Sequence, residues 1–304
     1  MKTVIIGLGG VGGFFGGMLA RKYSGQSGHE VHFVARGKQL DAIKEKGLTL
    51  LYNEESYDIH PTSASENTSS VGIADLILIT TKSYDLPSVL PLLKPICGEK
   101  TVMIALQNGM GNIEVLKNFN LPGILCDGLV YVGSEIKSPG IVKTIGATQK
   151  IIFGVEGSTP EILKSVETYL SAAGFQVVLT DNPLKYKWLK FQFICSLSAV
   201  TALHQKTIGQ VLESESLTND LLKLMDEIAL VAKSKNTGFP NNATEKSMEI
   251  VRKMGFGQTT SFQRDYLAGK NHELENYLGV LVREAVSSNI QIPAAESYYL
   301  KLKK

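Results

Sequence analysis

Between a short β-branched run, Lys2 to Ile6, and a helical stretch, Val11 to Tyr23, the chain reads Gly7-Leu8-Gly9-Gly10-Val11-Gly12. A G-x-G-x-x-G spacing at a strand-to-helix junction admits few folds, because each glycine answers a separate steric demand. Gly7 permits the tight turn, Gly9 lets backbone approach a pyrophosphate, and Gly12 allows the helix to pack closely on the strand. The helix start adds unpaired N–H groups and positive potential, which suit an anion. Strand, spacing, helix and N-terminal position together favour dinucleotide binding at residues 7–12 over a glycine-rich turn that holds nothing.

The pattern that follows repeats the same logic. A second strand, His29 to Ala35, leads into a polar helix, Lys38 to Lys46, closed by Gly47, and completes a βαβ unit. Ala74 to Thr80 and Thr101 to Leu106 are continuous apolar runs, as expected of parallel strands covered on both faces. Leu86 to Leu93 provides a crossover between them, and Asn112 to Asn118 a short helix. From Leu125 to Val155, Gly and Pro turns separate strands with no crossover helix, which predicts an antiparallel extension. A helix, Pro160 to Ala173, and a strand, Phe175 to Leu179, close this part before Asp181-Asn182-Pro183. Ser63 to Ser70 is polar and reads as a surface loop.

Beyond Pro183 apolar residues recur three and four apart through Lys185–Leu203, Leu217–Ser234, Ala243–Met254 and His272–Ser288. The expected architecture is therefore an α/β Rossmann-like dinucleotide-binding domain, residues 1–181, followed by an all-α domain, residues 182–304. At 304 residues the chain is long enough for both.

Composition narrows the function classes. Lys plus Arg number 31 against 29 for Asp plus Glu, and the basic residues are scattered, so no nucleic-acid partner is expected. The N-terminus lacks the cleavage site of a secretory signal. No apolar stretch reaches the ~18 residues of a membrane span, which predicts a cytoplasmic protein without a membrane partner. The cysteines Cys97, Cys126 and Cys195 lie far apart, as buried thiols in a reducing compartment do. The five histidines show no ligand spacing, so no metal is assigned. The oligomeric state stays open, a homodimer among the options.

Four positions carry candidate chemistry. Arg36 ends the second strand, where an NAD site would place Asp or Glu; a guanidinium there suits the 2′-phosphate of NADPH (NADP+) instead. Lys82 in TTKS and Asn108 in QNGMG follow parallel strands at their carboxyl ends, where ligands bind. Lys190 sits among Trp188, Phe191 and Phe193 on an apolar helix. Burial would lower its pKa and fit it to protonate an alkoxide as a carbonyl is reduced; the alternative is a snorkelling surface lysine. Asp265 and Glu273 lie farther along, and spacing alone distinguishes neither from a solvated helix-face carboxylate.

These segments together, GLGGVGG with Arg36, TTKS, QNGMG, WLK at Lys190 with SLSAVTAL, and SFQRD with HELENYLG, resemble the 2-dehydropantoate 2-reductase (ketopantoate reductase) family over almost the whole chain. The resemblance implies reduction of 2-dehydropantoate to (R)-pantoate by NADPH, a step toward pantothenate and coenzyme A. It implies Lys190 as general acid, Glu273 as the carboxylate that holds a substrate hydroxyl and Ser261 as a ligand of the substrate carboxylate. Asn108 would touch both cofactor and substrate, and Lys82 would orient the cofactor. The family usually carries asparagines four and eight residues after its lysine; here Ile194 and Ser198 stand there, with Ala199 in place of a proline. Ser198 retains one hydroxyl toward substrate, and Ile194 offers none. A different 2-oxoacid, or an NADPH-binding protein weak in catalysis, is thus an alternative expectation; a related hydroxyacid dehydrogenase of the same layout ranks behind both.

Overall fold

The computed structural model describes residues Met1–Lys304, the side chain of Ala147 apart. The chain folds into two compact units: Met1–Gln107 with Asn112–Pro183, and Asn108–Gly111 with Leu184–Lys304.

The first unit runs β1 (Lys2–Ile6), α1 (Gly10–Tyr23), β2 (Glu30–Val34), α2 (Gly37–Lys46), β3 (Leu48–Tyr52), β4 (Glu55–Ile59), β5 (Ser63–Ser65), β6 (Leu76–Ile79), α3 (Leu86–Leu93), β7 (Val102–Ala105), α4 (Asn112–Asn118), β8 (Ile124–Ser138), β9 (Ile141–Gly154), α5 (Ile162–Ala172) and β10 (Gln176–Thr180). One sheet takes all the strands, in the order β4-β3-β9-β8-β7-β6-β1-β2-β5, with β10 also on β9. The strands from β5 through β8 are parallel, and β8 turns back antiparallel onto β9, the extension that the Gly and Pro turns predict.

Alternation along the strands sends neighbours to opposite faces. Ile5, Leu76 and Leu78 join one buried cluster with Phe14, Phe15 and Leu19 of α1 and Leu163, Val166 and Leu170 of α5. Val4, Ile6, Ile77 and Ile79 join the other, under α3. Both faces are thus covered, which is why these strands are apolar throughout.

In this unit an edge strand and a hairpin are not anticipated from the sequence. Ser63–Ser65 is an edge strand, β5, pairing with β2 in parallel, although the segment reads as loop. Its three residues are only partly buried, so polar side chains suffice; the backbone bonds are joined by a 2.8 Å bond between Ser63 Oγ and His32 Nδ1 of β2, and Ala64 packs on the core. The β3–β4 hairpin has Asn53 and Glu54 at its tip with φ of 51° and 65°, a geometry usually signalled by Asn-Gly.

The second unit comprises α6 (Pro183–His204), α7 (Ile208–Glu213), α8 (Glu215–Ser234), α9 (Ala243–Arg252), α10 (Ser261–Leu267), α11 (Val280–Ser287) and α12 (Pro293–Leu302). Helix α6 is its centre, with Trp188, Phe191, Phe193, Cys195 and Leu197 all buried. Fully buried Gln192 donates to the Met225 carbonyl and the Thr244 hydroxyl and accepts from Ser247, so one amide ties α6 to α8 and α9. His272–Ser288 is not one regular helix: a π-helical turn, Glu275–Gly279, precedes α11, with the Gly279 N–H donating to the Leu274 carbonyl at 3.0 Å.

Gly154 tests the sheet packing. An added Cβ would lie 1.7 Å from the Thr180 carbonyl oxygen. Gly154→Ala should destabilise the first unit by about 1–3 kcal/mol through forced separation of β9 and β10, measured by urea unfolding.

Candidate active site

The turn after β1 meets the steric demands one by one. Gly7 has φ +97°, and a Cβ there would strike Thr81 at 2.7 Å; a Cβ on Gly12 would fall 1.9 Å from the Gly7 carbonyl oxygen. Gly9 faces open space, leaving backbone free for a ligand to approach. A Cβ on Gly10 would meet the Ser134 carbonyl at 2.4 Å. The hydroxyls of Thr81 and Ser134, residues that border this turn, are buried without a hydrogen-bond partner among the described residues, as are both amide atoms of Gln107. A concave backbone turn at the start of a 14-residue helix, bordered by unsatisfied hydroxyls, fits a pyrophosphate.

Arg36 precedes α2 with its side chain 70% exposed, and its guanidinium donates to Asp85 Oδ1 at 2.8 Å. The carboxylate is a partner that sequence reading does not anticipate, because Asp85 lies in a 3-10 turn, Ser83–Asp85, after β6. Lys82 caps that turn and is partly exposed.

In the second unit, Lys190 Nζ donates to Asn108 Oδ1 at 2.7 Å. Asn108 reaches it because the Asn108–Gly111 turn is clamped to the π-helical turn. The Met110 N–H donates to the Asn276 carbonyl at 3.1 Å, and Asn276 Nδ2 returns a bond to the Met110 carbonyl at 3.3 Å. Gly109, at φ +79°, allows the approach: a Cβ would sit 2.5 Å from the Asn276 carbonyl.

Burial lowers the Lys190 pKa to about 8; the Glu273 charge opposes that fall and the Lys187 ammonium adds to it. Glu273 is 3% exposed and Lys187 4%. At 100° per residue, Lys187, Lys190, Ile194 and Ser198 fall on one stripe of α6. Ser198 is fully buried, its hydroxyl without a partner among the described residues. Ser261 opens α10, partly exposed, directly after the capping Thr260. Lys187 and Asn276 escape the sequence reading. The signal for Lys187 was its place one turn before Lys190, whereas Asn276 acts through a contact distant in sequence.

A half-buried ammonium bonded to an amide, with a buried carboxylate acting on its charge, is an arrangement that can give up a proton. Residues 3–157 match the family described as Ketopantoate reductase PanE/ApbA, and residues 182–304 match its C-terminal counterpart. The chain belongs to the ketopantoate reductase family. It is an oxidoreductase of that family, and its two-part fold is the family's. The chain is 27% identical over 304 residues to YkpB, an uncharacterized oxidoreductase of Bacillus subtilis, covering 99% of this chain and 98% of the relative. It is 26% identical over 294 residues to the 2-dehydropantoate 2-reductase of Pyrococcus horikoshii, covering 96% and 93%. A PanE/ApbA family ketopantoate reductase from Ralstonia eutropha superposes with a TM-score of 0.89 at 29% identity, covering 100% of this chain and 97% of that one. No helix among the described residues is long and apolar enough to cross a membrane.

The low Lys190 pKa carries a stability consequence. The unfolded chain holds this proton up to about pH 10.5 and the native chain only up to about 8, so native stability rises with pH across that window. In urea unfolding at pH 7.5 and 10.5, the native chain should gain about 1–3 kcal/mol more than Lys190→Met over the same interval.

Proposed function

We propose that this ketopantoate reductase family member reduces a 2-oxoacid with NADPH, and that 2-dehydropantoate, giving (R)-pantoate on the route to pantothenate, is its first candidate substrate. The observation that carries this reading is the hydrogen bond from the half-buried Lys190 to Asn108.

When bound, NADPH supplies the hydride that adds to C2 of the acid. Lys190 supplies the proton. Below about pH 8 its ammonium is charged, and the Nζ–H bond breaks as the carbonyl oxygen takes the proton, leaving a neutral amine that solvent reprotonates. Asn108 holds Nζ in position through its Oδ1. Glu273 accepts from a substrate hydroxyl, Ser198 and Ser261 bind the remaining polar groups, and Gly7, Leu8, Gly9, Gly10, Val11 and Gly12 cradle the pyrophosphate. Lys82 orients the nicotinamide side, and Arg36 pairs with the 2′-phosphate after leaving Asp85.

A second reading, a different 2-oxoacid, is favoured by one feature: Ile194 places a partly exposed apolar side chain on the Lys190 stripe. A panel of branched 2-oxoacids, assayed by NADPH absorbance, separates the two.

Lys190→Ala should lower kcat/KM for the best acid by about 10²–10⁴-fold. In the native chain, kcat/KM for reduction should fall as pH rises through about 8, where the acid form is lost. Undiminished turnover by the variant would remove Lys190 from the mechanism. For the cofactor, Arg36→Asp should raise KM for NADPH about 10–100-fold while sparing NADH. Asp85→Ala, which frees the guanidinium, should lower KM for NADPH by up to about fivefold. An unchanged NADPH-to-NADH ratio in both variants would show that Arg36 does not read the phosphate.

A further inference from the structure

The phenol of Tyr277, in the helical unit, has no part in the proton transfer. The residue is 2% exposed, yet its hydroxyl has no hydrogen-bond partner among the described residues. Native interiors rarely leave a buried hydroxyl unpaired, because its desolvation is then uncompensated. A phenylalanine would fill the same space against Phe191, 6.2 Å away edge-on, and Phe262, 5.6 Å away. The oxygen therefore needs a reason that packing does not supply.

Its surroundings are those of the site. Tyr277 follows Glu273 by four residues and lies in the π-helical turn, a distortion that often marks functional positions. Phe191 is next to Lys190, and Phe262 is next to Ser261. Burial, with the charges of Glu273 and Asp265 and the Cys195 thiol nearby, keeps the phenol protonated far beyond neutral pH, so it is a standing donor. Cys195 lies on α6 five residues beyond Lys190, and Ser198 lies three residues beyond Cys195.

A second orphan hydroxyl lies farther along the same stripe. Ser196 and Thr201 of α6 satisfy theirs by donating to the carbonyls of Gln192 and Leu197, each at 2.8 Å, the usual recourse of a hydroxyl inside a helix. Ser198, fully buried between them, does not.

We propose that Tyr277 is a specificity-determining residue whose O–H, together with that of Ser198, donates to an oxygen at the far end of the substrate. The site thereby selects 2-oxoacids that carry a hydroxyl or other oxygen function beyond the 2-oxo group. This rests on the reductase reading above.

The test is Tyr277→Phe, assayed with a matched pair: 2-dehydropantoate and 3,3-dimethyl-2-oxobutanoate, the same skeleton without the terminal hydroxyl. KM for the hydroxylated acid should rise about tenfold, with kcat within about twofold and KM for the other acid unchanged. The thermal midpoint of the variant without substrate should equal or exceed that of the native chain, since an unsatisfied oxygen has been removed. Equal KM changes for both acids, no change for either, or a midpoint lower by several degrees would make the phenol structural and overturn the proposal. If the native chain reduces neither acid but turns over another 2-oxoacid of the panel, 2-dehydropantoate falls as its substrate; if it reduces none, the reductase reading falls. Calorimetry with the corresponding 2-hydroxyacids then decides on Tyr277: selective loss of binding of the hydroxylated acid supports it, and unchanged binding overturns it.

Discussion

An ammonium held away from bulk water is the condition on which the proposed chemistry depends. Taking Lys190 out of bulk water makes its charged form less favourable, which brings its acidity into the range where a proton can be given up near neutral pH. The same burial would favour the neutral amine too strongly if nothing opposed it. Glu273 does so through its negative charge, and Asn108 through a 2.7 Å bond to Nζ. Lys187, buried one turn earlier, pulls the other way. The acidity of Lys190 is thus a balance among burial, one carboxylate and one neighbouring cation, with the amide fixing direction.

That amide is positioned from outside the helices. Asn108 lies between β7 and α4 in sequence, and the two-way bond between Met110 and Asn276 fastens its turn to the π-helical turn. The π-helical turn therefore does two things: it presents Asn276 to the turn and Tyr277 to the aromatic wall beside Phe191.

Much of this was legible in the sequence, for identifiable reasons. The parallel strands betrayed themselves as unbroken apolar runs because helices cover both faces, and the glycines of residues 7–12 because backbone crowding excludes any side chain at Gly7 and Gly12. The all-helical second half followed from its 3.6-residue period. The β3–β4 hairpin was not legible, since Asn53-Glu54 does the work of a turn that Asn-Gly would have announced. Neither was β5, a polar edge strand that owes its place to backbone pairing with β2 and to the bond between Ser63 and His32. The aromatic company of Lys190 pointed to a buried amine, but its acceptor, its carboxylate and its neighbouring cation depend on contacts that only the folded chain brings together. The ion pair of Arg36 with Asp85 is of the same kind: strand-end position suggested the guanidinium, and nothing local suggested its partner.

The grouping of Asn108–Gly111 with Leu184–Lys304 makes the helical half a discontinuous piece of chain. It is not a cassette that can be lifted out at Pro183. A chimera that exchanged only the C-terminal helices with a homologue would transplant the lysine and leave behind the turn that aims it. Recombining such enzymes requires grafting four residues from about a third of the way along the gene together with the last two-fifths of it.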